Sequence, residues 1–141
     1  MEFDFGDALV RGLQGYVRAV SEQLGLSGEC FYVQSVPLGA YLALDGRFSG
    51  FPDRDAALLW DAERGWAAAV ETHSGEDLIV QAWLPGDVVP PPHRVAHWTR
   101  GLLDGSPGQP RLTQPRQPQD DLPARLAPYA VAGLVPLPQV A

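Results

Sequence analysis

Leu9, Leu13, Val17, Val20 and Leu24 recur at intervals of three and four residues. That period puts them on one face of an α-helix, and it predicts a helix over Asp7–Leu24. Gly25 followed by Leu26 suits its C-terminal cap. The period then changes. Cys30–Val36 is β-prone, Pro37 and Gly39 interrupt it, and Ala40–Asp45 reads as a second strand. The block FPDRDAALLWDAERGWAAAVETHSGEDLIVQAWL, Phe51–Leu84, reads as further strands over Ala56–Trp60, Trp66–Glu71 and Asp77–Leu84. Two short acidic turns join them, and Gly65 can supply a positive φ. Connections this short force antiparallel neighbours. Trp66 is expected across from Trp83, as an aromatic cross-strand pair. The triplet Pro90–Pro92 opens a second helix, running to Asp104, with Val95, Trp98 and Leu102 as its apolar stripe.

The strands do not alternate cleanly. Leu58 and Trp60 oppose Ala57 and Leu59; Leu78, Val80, Ala82 and Leu84 oppose Ile79, Gln81 and Trp83. A sheet with one solvated face would carry polar residues at alternate positions. The second face is therefore expected to be covered by the tail, a second subunit or a partner.

From Ser106 the composition shifts, and more than half of the 14 prolines follow it. Ser106–Asp121 reads as a flexible linker, and Leu122–Ala141 is apolar again. Prolines 123, 128, 136 and 138 are expected to bar a long helix there. The tail then docks back as an extended strand or serves as a ligand for another protein. The expected organisation is one α+β domain over residues 1–105, followed by a proline-rich linker and apolar tail over 106–141. The domain comprises an N-terminal helix, an antiparallel meander of four or five strands and a C-terminal helix on the sheet. Small secretion-chaperone-like proteins have a similar order of elements, which is analogy at fold level only.

The length of 141 residues, with 45% hydrophobic and 19% charged residues, fits one soluble globular domain. A formal charge of -7 opposes nucleic acid and anionic membrane surfaces, although Arg11, Arg18, Arg94 and Arg100 could form a local patch. No run is long enough to span a bilayer. The opening MEFDFGDA is acidic where a signal peptide would be basic, so a cytoplasmic protein is expected. Cys30 stands alone, which excludes an intrachain disulfide and suits a small buried residue. Lysine and asparagine are absent, a bias that points to a GC-rich genome.

His93 and His97 lie one helical turn apart, a spacing that suits a metal pair, but no third or fourth ligand accompanies them. Asp53, Asp55, Asp61, Glu63, Glu71, Glu76 and Asp77 fall mostly in turns and do not match a calcium loop. Glu71 is the exception, set inside a strand among alanines and valine. Trp60, Trp66, Trp83 and Trp98 read first as core. There is no phosphate-binding glycine loop, no nucleophile elbow and no nucleophile–base pair. No catalytic residue, cofactor or metal site is expected.

Four segments carry a resemblance. They are YVRAVSEQLGL at Tyr16–Leu26, YLALDGR at Tyr41–Arg47, the Phe51–Leu84 block, and PPPHRVAHWTRGLL at Pro90–Leu103. Over Gly15–Leu103 the chain resembles a family of small actinobacterial proteins known only as a domain of unknown function. The resemblance implies no activity, cofactor or catalytic residue. The leading expectation is a non-catalytic interaction or adaptor domain with a protein partner or a homodimer. The alternative is a small-molecule-binding protein or small enzyme, with a pocket drawn from Trp60, Asp61, Trp66, Glu71 and Trp83 beside the alanines. A transcription-associated regulator is the third.

Overall fold

A computed structural model describes residues 5–26, 30–72, 77–104 and 122–134. Helix α1 spans Phe5–Gln23 and is followed by strands β1 (Phe31–Ser35), β2 (Leu38–Ala43), β3 (Ala56–Asp61), β4 (Gly65–Glu71) and β5 (Leu78–Trp83). Helices α2 (Pro92–Asp104) and α3 (Leu122–Leu134) complete the described chain. The five strands form one antiparallel sheet in the order β1-β2-β3-β4-β5, the meander expected from the short connections.

Helix α1 ends as its sequence foretells. Gly25 takes φ +76, its amide reaches the Glu22 carbonyl at 3.0 Å, and the Leu26 amide reaches that of Ser21 at 3.0 Å. This is the Schellman arrangement, with Leu26 packed back on the core. The β3–β4 turn is equally local. Asp61 Oδ1 accepts the backbone amides of Glu63 (2.9 Å) and Arg64 (2.6 Å), and Gly65 closes the turn at φ +80.

One face of the sheet meets the helices. Leu42, Leu58, Trp60, Trp66, Ala68, Val70 and Ala82 are buried there with Leu13, Tyr16, Val17 and Val20 of α1. Two aromatic residues tie this core to the segment before α2. The Trp60 indole donates to the Val88 carbonyl at 2.7 Å. The Trp66 indole donates to the Tyr16 hydroxyl at 3.1 Å, which donates in turn to the Pro90 carbonyl at 2.5 Å. These three hydrogen bonds satisfy five polar groups that burial would otherwise penalise. Burial pushes the Tyr16 phenol far up, with partial relief from the Trp66 hydrogen bond.

The structure corrects two readings of the sequence. Trp66 pairs with Trp60, and Trp83 pairs with Ala67. A bulge beside Ala68/Ala69 is the cause. Ala82 faces Ala68 while Val80 faces Ala69, so Gln81 is the extra residue. Leu78 and Val80 consequently share a face with Trp83, not with Ala82.

The second correction is α3, a helix of 13 residues in a segment whose prolines were expected to bar one. Pro123 falls in the first turn, where amides have no helical partner anyway. Pro128 does interrupt the hydrogen-bond ladder. Packing offsets that cost. Leu122 and Leu126 are buried, and the Tyr129 ring lies 4.9 Å from that of Tyr16. Arg125 grips Asp87 with two hydrogen bonds, at 3.1 and 2.7 Å, and the Val89 carbonyl at 3.0 Å. Helix α1 admits α3 closely because Gly12 and Gly15 face it. A Cβ at Gly12 would sit 2.8 Å from the Leu126 carbonyl oxygen, and one at Gly15 would overlap that of Tyr129.

Gly15→Ala is therefore expected to loosen α3, although alanine favours an isolated helix by about 1 kcal/mol over glycine. Faster amide exchange across residues 122–130, with the sheet amides unchanged, is the expected signature. Unchanged exchange there would contradict the close packing. The predicted linker Ser106–Asp121 and the last residues of the tail lie outside the described residues.

The Asp87–Arg125 pair makes the same contact pH-dependent. Hydrogen bonding from Arg125 holds the Asp87 carboxyl below the usual range. A carboxyl depressed on folding stabilises the fold above its unfolded value of about 3.9, and that contribution is lost as pH falls through the folded value. Both side chains are partly exposed, so the effect is expected to stay under about 1 kcal/mol. Asp87→Asn should flatten the acid limb of stability below about pH 4; an unaltered acid limb would show that the pair contributes nothing.

Candidate functional site

The other face of the sheet has no described helix over it. Reading across the strands, Tyr32, Tyr41, Leu59, Ala67 and Trp83 stand in register as one row. Ala57, Ala67 and Ala69 of this face are fully buried. An open concavity of about 560 Å³ is lined by residues that include Tyr32, Tyr41, Leu59, Leu78, Val80 and Trp83. The β3–β4 turn forms part of its rim through Asp61, Glu63 and Arg64.

The row is built from aromatic pairs and one cation. Tyr32 and Tyr41 stack with centroids 5.7 Å apart and an interplanar angle of 23°. Tyr32 is 60% exposed. The Arg64 guanidinium lies over the Trp83 ring at 5.3 Å, a cation–π contact, while its Nε donates to Asp61 Oδ2 at 3.2 Å. Burial, followed by the negative charges of Glu71 and Asp55, pushes the Tyr41 phenol up.

The five residues singled out from the sequence divide between the faces. Trp83 and Asp61 reach the concavity, although Asp61 spends its oxygens on the turn and on Arg64. Glu71 shares the outer face by register, at the opposite end from the turn. The Trp60 and Trp66 side chains are 2% and 1% exposed and belong to the helix-facing core, although Trp60 also contributes to the lining of the concavity. Tyr32 and Tyr41 were missed as site residues. Tyr32 and Tyr41 face each other across the β1–β2 hairpin, so a register centred on Val36–Pro37 would have paired them.

Among the described residues, no group of three or more His, Cys, Asp or Glu side chains could hold a metal ion. His93 and His97 are both exposed on α2. No described helix is long and apolar enough to cross a membrane.

The signature of a family of unknown function, DUF6292, matches residues 16–101. The chain belongs to DUF6292. The match in DUF6292 takes in the whole sheet and most of α2, and with them every residue of the concavity. It leaves out α3 and the start of α1, including Gly12 and Gly15, on which α3 rests. No curated protein and no solved structure matches the chain.

Proposed function

We propose that this DUF6292 member is a non-catalytic interaction domain that docks a polypeptide against the outer face of its sheet. The supporting observation is the open concavity, walled by Tyr32, Tyr41, Leu59 and Trp83, with no described element above it. Tyrosine and tryptophan are the residues that most often anchor a partner at an interface, because a rigid ring buries much area at low entropic cost. The site offers reacting groups little. Its nearest carboxylate, Asp61, is engaged by a turn and an arginine. Helix α3 packs on α1, behind the opposite face, and so leaves the concavity to something else.

A ligand-binding reading shares the same site. Its volume lies within the ~300–1,000 Å³ usual for small-molecule pockets, but such pockets enclose most of their ligand and this one is open to solvent. We place the protein in the cytoplasm of an actinobacterium. Support comes from its lone thiol at Cys30 and its lack of lysine and asparagine.

Site-specific photo-cross-linking in the source cells tests the interaction reading. A photoreactive residue at Leu59 is expected to give discrete heavier adducts, and one at the exposed Arg11 on α1 is not. No adduct at position 59, or the same adducts at both positions, would contradict it.

A further inference from the structure

The chemistry of the outer face narrows what it can dock. Contact here is with a face and not with an edge, so the strands beneath have already paired their backbone groups. A ligand lying on them gains no ladder hydrogen bonds. A polyproline II segment needs none, because its backbone is solvated and has no internal bonds. Proline-rich segments of this kind dock in grooves between aromatic side chains. The row from Tyr32 to Trp83 crosses four strand spacings of about 4.8 Å, roughly 19 Å, which such a segment covers with about six residues at ~3.1 Å each.

Charge narrows it further. The outer face and its rim carry Asp55, Asp61, Glu63 and Glu71 against Arg47 and Arg64. Arg47 pairs with Asp55 at 3.2 Å and Arg64 with Asp61 at 3.2 Å, whereas neither Glu63 nor Glu71 is in an ion pair among the described residues. With the chain at -7, a second copy would meet like charge, and a cationic partner is complementary. Arg64 also shows that the Trp83 ring takes a guanidinium on its face, and arginine is the cation best suited to both ring and carboxylate. Glu63 stands on the rim of the same concavity as Leu59, in the turn four residues further along the chain.

We propose that the outer face binds an extended, proline-rich, arginine-bearing segment of a separate polypeptide. The inference rests on the interaction reading and names the class of its partner. Glu63 holds an arginine side chain, and the Tyr32–Tyr41 pair, Leu59 and the Trp83 ring beside Arg64 receive the prolines.

The test is calorimetric titration of the full chain with a synthetic peptide carrying two PxxP repeats and two arginines. Binding is expected, weakening as salt rises. Trp83→Ala and Glu63→Gln, each with an unchanged unfolding midpoint, are expected to weaken it, the first by about tenfold or more. Replacing the peptide's arginines by glutamate should abolish it. Equal binding by peptides lacking proline or arginine overturns the partner class. So does preference for an apolar helical peptide, or an absence of peptide binding while cross-links at position 59 persist; in those cases the docking reading stands. Failure of both peptides and cross-links removes the docking reading too. The chain's own linker supplies the last arm, since it carries Arg111 and Arg116 among prolines. Arg111→Ala with Arg116→Ala should leave peptide affinity unchanged; a rise of about tenfold would mean that the linker itself occupies the face, which overturns a separate partner.

Discussion

Trp60→Ala is expected to cost about 3–5 kcal/mol, the largest single effect anticipated for this chain. The indole is 2% exposed and packs between the sheet and the helices. Truncation leaves a cavity and strips the buried Val88 carbonyl of its donor, which sits 2.7 Å away. Domain stabilities run to only about 5–15 kcal/mol, so the variant should be largely or marginally unfolded at 37 °C. Urea denaturation monitored by circular dichroism measures it. A loss below about 1 kcal/mol would show that Trp60 is not core, and would reopen the possibility that it belongs to a binding surface.

Tyr16→Phe is expected to cost about 1–3 kcal/mol although it removes one oxygen atom and leaves the ring in place. That oxygen accepts from Trp66 and donates to Pro90. Its loss leaves a buried N–H and a buried carbonyl unsatisfied together, and it frees the segment that leads into α2. The ring contacts with Trp66 and Tyr129, at 5.9 and 4.9 Å, should survive. The expected result is a lower unfolding midpoint, with earlier exchange of the α2 amides than of the β3 and β4 amides. An unchanged midpoint would mean that water or a local shift satisfies both groups.

The two variants illustrate what the sequence discloses and what it hides. The helix stripe of Leu13, Val17 and Val20 was legible because a 3.6-residue period is a local property, and all three are buried. The turn at Asp61–Gly65 was legible for the same reason: a side-chain cap and a positive-φ glycine act within five residues. Tyr16 lies on the same helical face, yet its role depends on Trp66 and Pro90, 50 and 74 residues away. No local pattern encodes that.

The bulge at Gln81 had a similar effect. Period-two alternation assigns Val80 and Ala82 to one face, and one inserted residue sends them to opposite faces. The position of Trp83 on the outer face was therefore right by alternation only in the sense that it opposed Ala82; its cross-strand partner was not. Helix α3 was hidden by a rule that is sound for isolated helices. Pro128 does break the ladder, and the docking of Leu126, Arg125 and Tyr129 onto α1 and the Asp87 loop outweighs the loss. Apolar character on both faces of the sheet was visible in the sequence, whereas the concavity was not. Its lining depends on Tyr32, Tyr41, Leu59 and Trp83 standing on one face, which is a matter of register.

The account's central claim is that the two faces of one sheet have different work: the helix-facing side holds the fold together and the outer side holds a partner. The most direct test is the double variant Leu59→Arg, Trp83→Ala, with unfolding and partner cross-linking from Tyr32 measured on the same preparation. The account predicts an unfolding free energy within about 1 kcal/mol of the parent and loss of the cross-linked adduct. A loss of more than about 3 kcal/mol of unfolding free energy in the double variant, or an adduct that persists undiminished, would contradict it.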